Sequence, residues 1–147
     1  MAILRLNIED EDTLELIGIQ SSWPEHRLVW TLNKELEVLL ERSEDYILET
    51  SLEASEQGLF SSEDKKEFSV FEYESDFERM VLVSNLSQGM ALYDKGRPFD
   101  YLLRIDSSQR SLRDCSDLIS EMKGILAVGR IDCGPGERAS KPFNALD

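Results

Sequence analysis

The side chains that could do chemistry are few and lie far apart along the chain. His26 is the only histidine among the 147 residues, and the two cysteines, Cys115 and Cys133, belong to no CxxC pattern. A zinc site needs three or four such donors close together, and nucleophilic catalysis needs a nucleophile, a base and an orienting group. We therefore expect no catalytic residue, no metal site and no cofactor.

The acidic run Glu9–Asp12 offers oxygen ligands of the kind that calcium and magnesium prefer. It lacks the alternating D-x-D-x-D-G spacing of a calcium loop, so we interpret it as a solvated hairpin turn. One alternative stays open, which is an enzyme with a carboxylate-assisted or cation-assisted site near Glu9–Asp12 or His26.

The chain is strongly acidic, with a formal net charge of −14. Residues 1–94 hold 22 acids and 7 bases, whereas residues 95–147 hold 8 acids and 9 bases. Such a surface repels phosphate backbones and anionic lipids, so we expect neither nucleic acid nor membrane as a partner. A basic protein partner is favoured, and an acidic mimic of nucleic acid that fills a basic groove is a further alternative.

Hydrophobic periodicity predicts the element order β-β-α-β-β-β-β-α-β. Strands outnumber helices and follow one another, which is typical of an α+β domain. We expect a mainly antiparallel sheet of about six strands, with two helices packed on it. The predicted strands are Ala2–Ile8, Thr13–Gln20, Tyr46–Leu52, Phe68–Glu74, Arg79–Asn85, Tyr101–Ile105 and Ile125–Ile131.

The first helix is predicted from an N-cap at Ser22 to about Arg42, with Pro24 and Glu25 in its first turn. Its core-facing stripe comprises Leu28, Val29, Leu32, Leu36, Leu39 and Leu40.

Trp30 lies outside that stripe, beside His26, Lys34 and Glu37. A large apolar side chain on a polar face needs a cover, supplied either by the chain itself or by a partner. We therefore take these four residues as a candidate interface, with a homodimer as one form of it.

The second helix is predicted to begin at Ser111, whose partner in a capping box is Asp114, and to end near Lys123 and Gly124. Met80–Val83 is apolar on both faces, which predicts a central strand covered on both sides. A second subunit could supply one of those covers.

The domain organisation predicted is a single domain over residues 1–133, followed by a flexible tail over 134–147 that is rich in glycine, proline and polar residues. The first residues lack the long apolar run of a targeting signal, so we expect a cytoplasmic protein.

Several segments together resemble the IPExxxVDY proteins, an uncharacterised family of short bacterial chains found mainly in Bacteroidota. The segments are Arg27–Lys34, Phe68–Glu74, Leu82–Asn85, Phe99–Leu103 and Leu118–Ile131. Phe99-Asp100-Tyr101 corresponds to the VDY part of the family motif. The IPE part is replaced by Leu92-Tyr93-Asp94, and the spacing to the VDY part is one residue longer than in the motif. The resemblance implies a bacterial cytosolic protein and no particular activity.

Asp100 and Tyr101 open a predicted strand after Pro98, which favours a structural turn. We expect the aspartate to accept backbone N–H bonds and the tyrosine to pack. Overall, the sequence favours a non-enzymatic protein-binding or adaptor domain with an acidic surface.

Overall fold

A computed structural model describes residues 13–49, 65–96 and 98–145. Its strands are β1 (Leu14–Ser21), β2 (Glu41–Arg42), β3 (Tyr46–Glu49), β4 (Lys65–Phe68), β5 (Val70–Glu74), β6 (Glu78–Ser84), β7 (Leu86–Ser87), β8 (Met90–Ala91), β9 (Tyr101–Ser107) and β10 (Ile125–Cys133). The helices are α1 (Glu25–Leu36), α2 (Leu112–Ser120) and α3 (Lys141–Ala145), and a 3-10 turn spans Arg138–Ser140. The predicted strand Ala2–Ile8 and the run Glu9–Asp12 lie outside the described residues.

The α+β prediction is confirmed. Six strands form one antiparallel sheet in the order β10-β1-β9-β6-β5-β2, and helices pack on it. Two small two-stranded antiparallel sheets, β3-β4 and β7-β8, lie outside this sheet. None of the helices within the described ranges is both long and apolar enough to cross a membrane.

Each face of the sheet carries its own core. The first, which we call the helix face, packs α1 and α2 against side chains from the central strands, such as Ile17, Met80 and Leu103. The second, which we call the sealed face, packs alternate residues of the same strands, such as Leu16, Val81 and Val83. The central position predicted for Met80–Val83 is therefore confirmed, and the chain itself covers both of its faces.

The C-terminal segment is part of the sealed face, which differs from the flexible tail expected after residue 133. The Phe143 side chain is 0% exposed, and Ala139 and Ser140 are buried beside it. The Ser140 hydroxyl donates to the carbonyl oxygen of Glu137 at 2.8 Å, which closes the turn that leads into α3. Gly134–Gly136 forms a turn as its composition favours, and the burial of Phe143 beyond it holds the segment on the sheet.

Helix α1 is shorter at both ends than the sequence predicts. The Ser22 hydroxyl donates to the Gly124 carbonyl oxygen at 3.2 Å and does not cap the helix, whose N-cap position is held by Pro24 without a side-chain hydrogen bond. At the other end Glu37 is left-handed, with φ 58°, and the Asn33 side chain accepts the Leu40 N–H at 2.8 Å. Because this side chain replaces the next helical hydrogen bonds, the helix stops at Leu36, and Leu39 is exposed rather than part of the core.

Helix α2 begins as predicted. The Ser111 Oγ accepts the Asp114 backbone N–H at 3.0 Å, as an N-cap serine does. Arg110, directly before this cap, binds Glu78 of β6 through two hydrogen bonds of 2.8 and 2.7 Å. The cap and the ion pair together fix where α2 starts on the sheet.

Candidate protein-interaction site

Trp30 is a large apolar side chain that stays in contact with solvent on the helix face. It lies on the outer side of α1 and is 63% exposed, although Leu28 and Val29 just before it are buried. The Lys34 Nζ lies one turn further on, 5.3 Å from the centroid of the Trp30 ring. This pairing is geometrically a cation–π contact, which supports the side chain without covering it.

A groove of about 390 Å³ runs between α1 and the end of α2. Trp30 and Lys34 line it from α1, and Leu118 and Met122 line it from the α2 side. Because both helices pack on the same sheet face, the groove is the seam that their side chains leave open.

The groove contains a second tryptophan that sequence reasoning missed. Trp23 precedes α1, and its ring lies against Gly124 so closely that a Cβ at Gly124 would overlap it. The Arg27 guanidinium lies over this ring, 5.0 Å from its centroid. The chain has two tryptophans, and both line this groove.

The groove has the opposite charge balance to the chain. Arg27, Lys34 and Lys123 line it, against the two carboxylates of Glu35 and Glu121. A locally cationic, tryptophan-lined depression on a protein of net charge −14 is the principal feature that composition could not reveal.

A second depression, of about 410 Å³, lies on the other side of Trp30. His26, Asn33, Arg42 and Phe71 are among its lining residues. Arg42 lies over the Phe71 ring at 5.6 Å and binds Asp45 at 2.6 Å. The hydrogen bond from Arg42 to Asp45 is the main reason that the pKa of Arg42 is raised.

The four predicted interface residues are thus only partly brought together. Trp30 and Lys34 share the α1–α2 groove, and His26 is exposed on the second depression beside Trp30. Glu37 lines neither depression and instead forms the left-handed end of α1.

The cysteines are placed for packing rather than for reaction. Cys115 and Cys133 are free thiols buried in different cores, and burial raises the pKa of both, that of Cys133 to about 11. At neutral pH both therefore carry the proton and lack the thiolate that nucleophilic chemistry requires. Within residues 13–49, 65–96 and 98–145, no group of three or more His, Cys, Asp or Glu side chains could hold a metal ion.

The Phe99-Asp100-Tyr101 segment joins the two cores. The Phe99 ring covers Gly18 and Gly129, which face each other across β1 and β10, and a Cβ on either would come within 2.5 or 2.7 Å of the ring. Tyr101 packs on the opposite, helix face, where burial raises its pKa to about 12.

Asp100 accepts a backbone N–H bond as expected, but the bond comes from the end of β1 and does not close a local turn. Its Oδ2 accepts the Ser21 N–H at 2.8 Å, and its own N–H donates to the Ile19 carbonyl oxygen at 2.7 Å. Both bonds attach the start of β9 to the end of β1.

Asn85 is a structural residue that the sequence pattern did not single out. It is fully buried, and its side chain accepts the Tyr93 N–H at 2.7 Å and donates to the Tyr93 and Phe99 carbonyl oxygens at 3.0 and 2.8 Å. Its backbone N–H donates to the Asp100 carbonyl oxygen. Asn85 therefore joins the two ends of the segment that connects β6 to β9.

Comparison with protein-family models, curated proteins and solved structures found no match for this chain.

Proposed function

We propose that this chain is a non-enzymatic protein-binding domain whose contact surface is centred on Trp30. The observation that carries the proposal is the 63% exposure of this tryptophan beside an open groove. Tryptophan is among the residues that contribute most to protein interfaces, because one side chain buries a large apolar area at a low entropic cost.

The partner we propose is a protein of positive net charge. The chain carries −14, and opposite net charges speed the diffusional encounter of two proteins. Binding should accordingly weaken as salt is added, because salt screens this long-range attraction.

Membership in the IPExxxVDY family remains a proposal. What supports it is the role of Phe99, Asp100 and Tyr101, which together join β9 to β1 and to both cores. A short motif with that role would be retained for structure, and it predicts no activity.

The test is a pull-down with three immobilised proteins, namely the wild type, Trp30→Ala and Phe77→Ala. Phe77 is a matched control, because it is 57% exposed and lies in the turn between β5 and β6 rather than on the helix face. We expect a basic protein to be captured from cell extract by the wild type and by Phe77→Ala, and lost from Trp30→Ala. For the purified partner, the loss of an interface anchor should weaken Kd by about 30-fold, equivalent to about 2 kcal/mol.

Two results would contradict this function. One is that the wild type captures no specific protein at either low or high salt, and the other is that Trp30→Ala captures the same protein equally well. Light scattering on the same three proteins separates the homodimer, because only in that case does the wild type have twice the mass of Trp30→Ala.

A further inference from the structure

We infer that the groove between α1 and α2 binds a segment in which a carboxylate lies beside an apolar side chain. This inference rests on the proposed function and adds the chemistry of the bound segment. It concerns one site, lined by Trp23, Arg27, Trp30, Lys34, Leu118 and Lys123, among others.

The apolar half of the ligand is indicated by the walls of the groove. The depression has a volume of about 390 Å³, which is large enough for one or two side chains rather than a folded domain. Its apolar lining consists of the two indole rings, Leu118 and Met122. Aromatic rings at such a site favour the flat or branched apolar side chains of a peptide.

The carboxylate of the ligand is indicated by the positions of the cationic side chains in the groove. Arg27 and Lys34 are held over the two tryptophan rings at 5.0 and 5.3 Å, and Lys123 lines the same groove from the end of α2. Arg27 and Lys34 are thus each next to an indole ring, so a ligand that covers an indole brings its neighbouring residue within reach of a positive charge. Glu35 and Glu121 line the groove too, and they leave the cations in excess by one.

The local charge, not the net charge, decides what enters the groove. Charges are screened over about 8 Å at physiological ionic strength, so most of the acidic surface is too distant to act on a bound side chain. The same net charge still attracts a basic protein before contact. A partner that is basic overall and presents one carboxylate-bearing segment satisfies both conditions.

The test uses 5-fluorotryptophan, which gives one fluorine NMR signal for Trp23 and one for Trp30. The probes are three blocked hexapeptides that share a phenylalanine and a leucine and differ at two positions, which are both aspartate, both asparagine or both lysine. We expect the aspartate peptide to shift both signals and to bind about tenfold more tightly than the asparagine peptide, the effect of charge-assisted contacts. The lysine peptide should bind more weakly still.

Two charge reversals locate the effect in the groove. Lys123→Glu should abolish the preference for aspartate. Arg113→Glu, which alters the net charge equally but lies on an exposed position of the first turn of α2, should preserve it. Both variants keep both tryptophans, so the same two signals are followed.

Equal or tighter binding of the lysine peptide would overturn the inference, as would fluorine signals that none of the peptides shifts. Either result would leave the protein-binding function standing if the Trp30-dependent capture in the pull-down is still observed. Loss of that capture together with a retained aspartate preference would instead show a peptide site without the proposed protein partner.

Discussion

The two faces of the sheet differ in where their large aromatic side chains lie. The sealed face is closed by Phe99, Phe143 and the fully hydrogen-bonded Asn85. The helix face has an equally buried centre, yet its rim leaves Trp30 exposed beside an open groove. This difference supports the proposal that the rim of the helix face makes contact with a partner, whereas the buried aromatic side chains of the sealed face maintain the fold.

The largest effect should come from removing the side chain that completes the sealed face. Phe143→Ala creates a cavity at a site with 0% exposure, and we expect it to lower the free energy of unfolding by about 3–5 kcal/mol. Chemical denaturation followed by circular dichroism measures this. A loss below about 1 kcal/mol would mean that the C-terminal segment adds little to the core.

A second change tests the polar part of the same face. Asn85→Asp keeps the size of the side chain but removes the two N–H donors that satisfy the Tyr93 and Phe99 carbonyl oxygens. We expect a loss of about 2–4 kcal/mol, because a buried carboxylate would then face two carbonyl oxygens. As a control, Ser87→Ala alters a nearby residue of β7 and should change stability by less than about 0.5 kcal/mol.

The ion pair between Arg110 and Glu78 should stabilise the fold to an extent that depends on pH. Arg110 lowers the pKa of Glu78 through their paired hydrogen bonds. A lowered carboxyl pKa stabilises the fold above the unfolded-state value of about 4.3 and loses that contribution as pH falls through the folded-state value. We therefore expect Glu78→Gln to cost about 1–2 kcal/mol at pH 7 and progressively less as the pH falls below about 4, in denaturation curves measured at neutral and acid pH.

The matched control for this pair is Glu15→Gln. Glu15 binds Arg130 at 2.7 Å, but both side chains are about half exposed, so we expect a cost below about 0.5 kcal/mol at pH 7. A Glu78→Gln effect that is no larger, or that persists unchanged at acid pH, would contradict the assigned role of the ion pair.

Local patterns predicted the parts of the fold that depend on local chemistry. The apolar run Met80–Val83 is a central strand, and the Ser111 cap begins α2. The prediction of the end of α1 was wrong, because Asn33 stops the helix without any glycine or proline to signal it. The burial of Phe143 was missed because it depends on contacts with residues distant in the sequence.

The candidate site was predictable only in part, for a similar reason. The off-stripe position of Trp30 follows from the helical period alone, and so does its proximity to Lys34. The partnership of Trp23, Arg27 and Lys123 depends on how α1 and α2 lie on the sheet, which no single segment determines. The net charge of −14 likewise gave no indication that the groove between α1 and α2 carries a local excess of positive charge.

If Trp30 serves contact and not folding, as proposed, its removal should leave the fold intact, and the unfolding free energy of Trp30→Ala measures this most directly. Because the side chain is largely exposed and its ring is in contact with Lys34, we predict a change of no more than about 1 kcal/mol relative to the wild type in chemical denaturation. Removal of a buried tryptophan would cost about 3–5 kcal/mol. A loss of that size would show that Trp30 holds the fold together and would contradict its role as a contact residue.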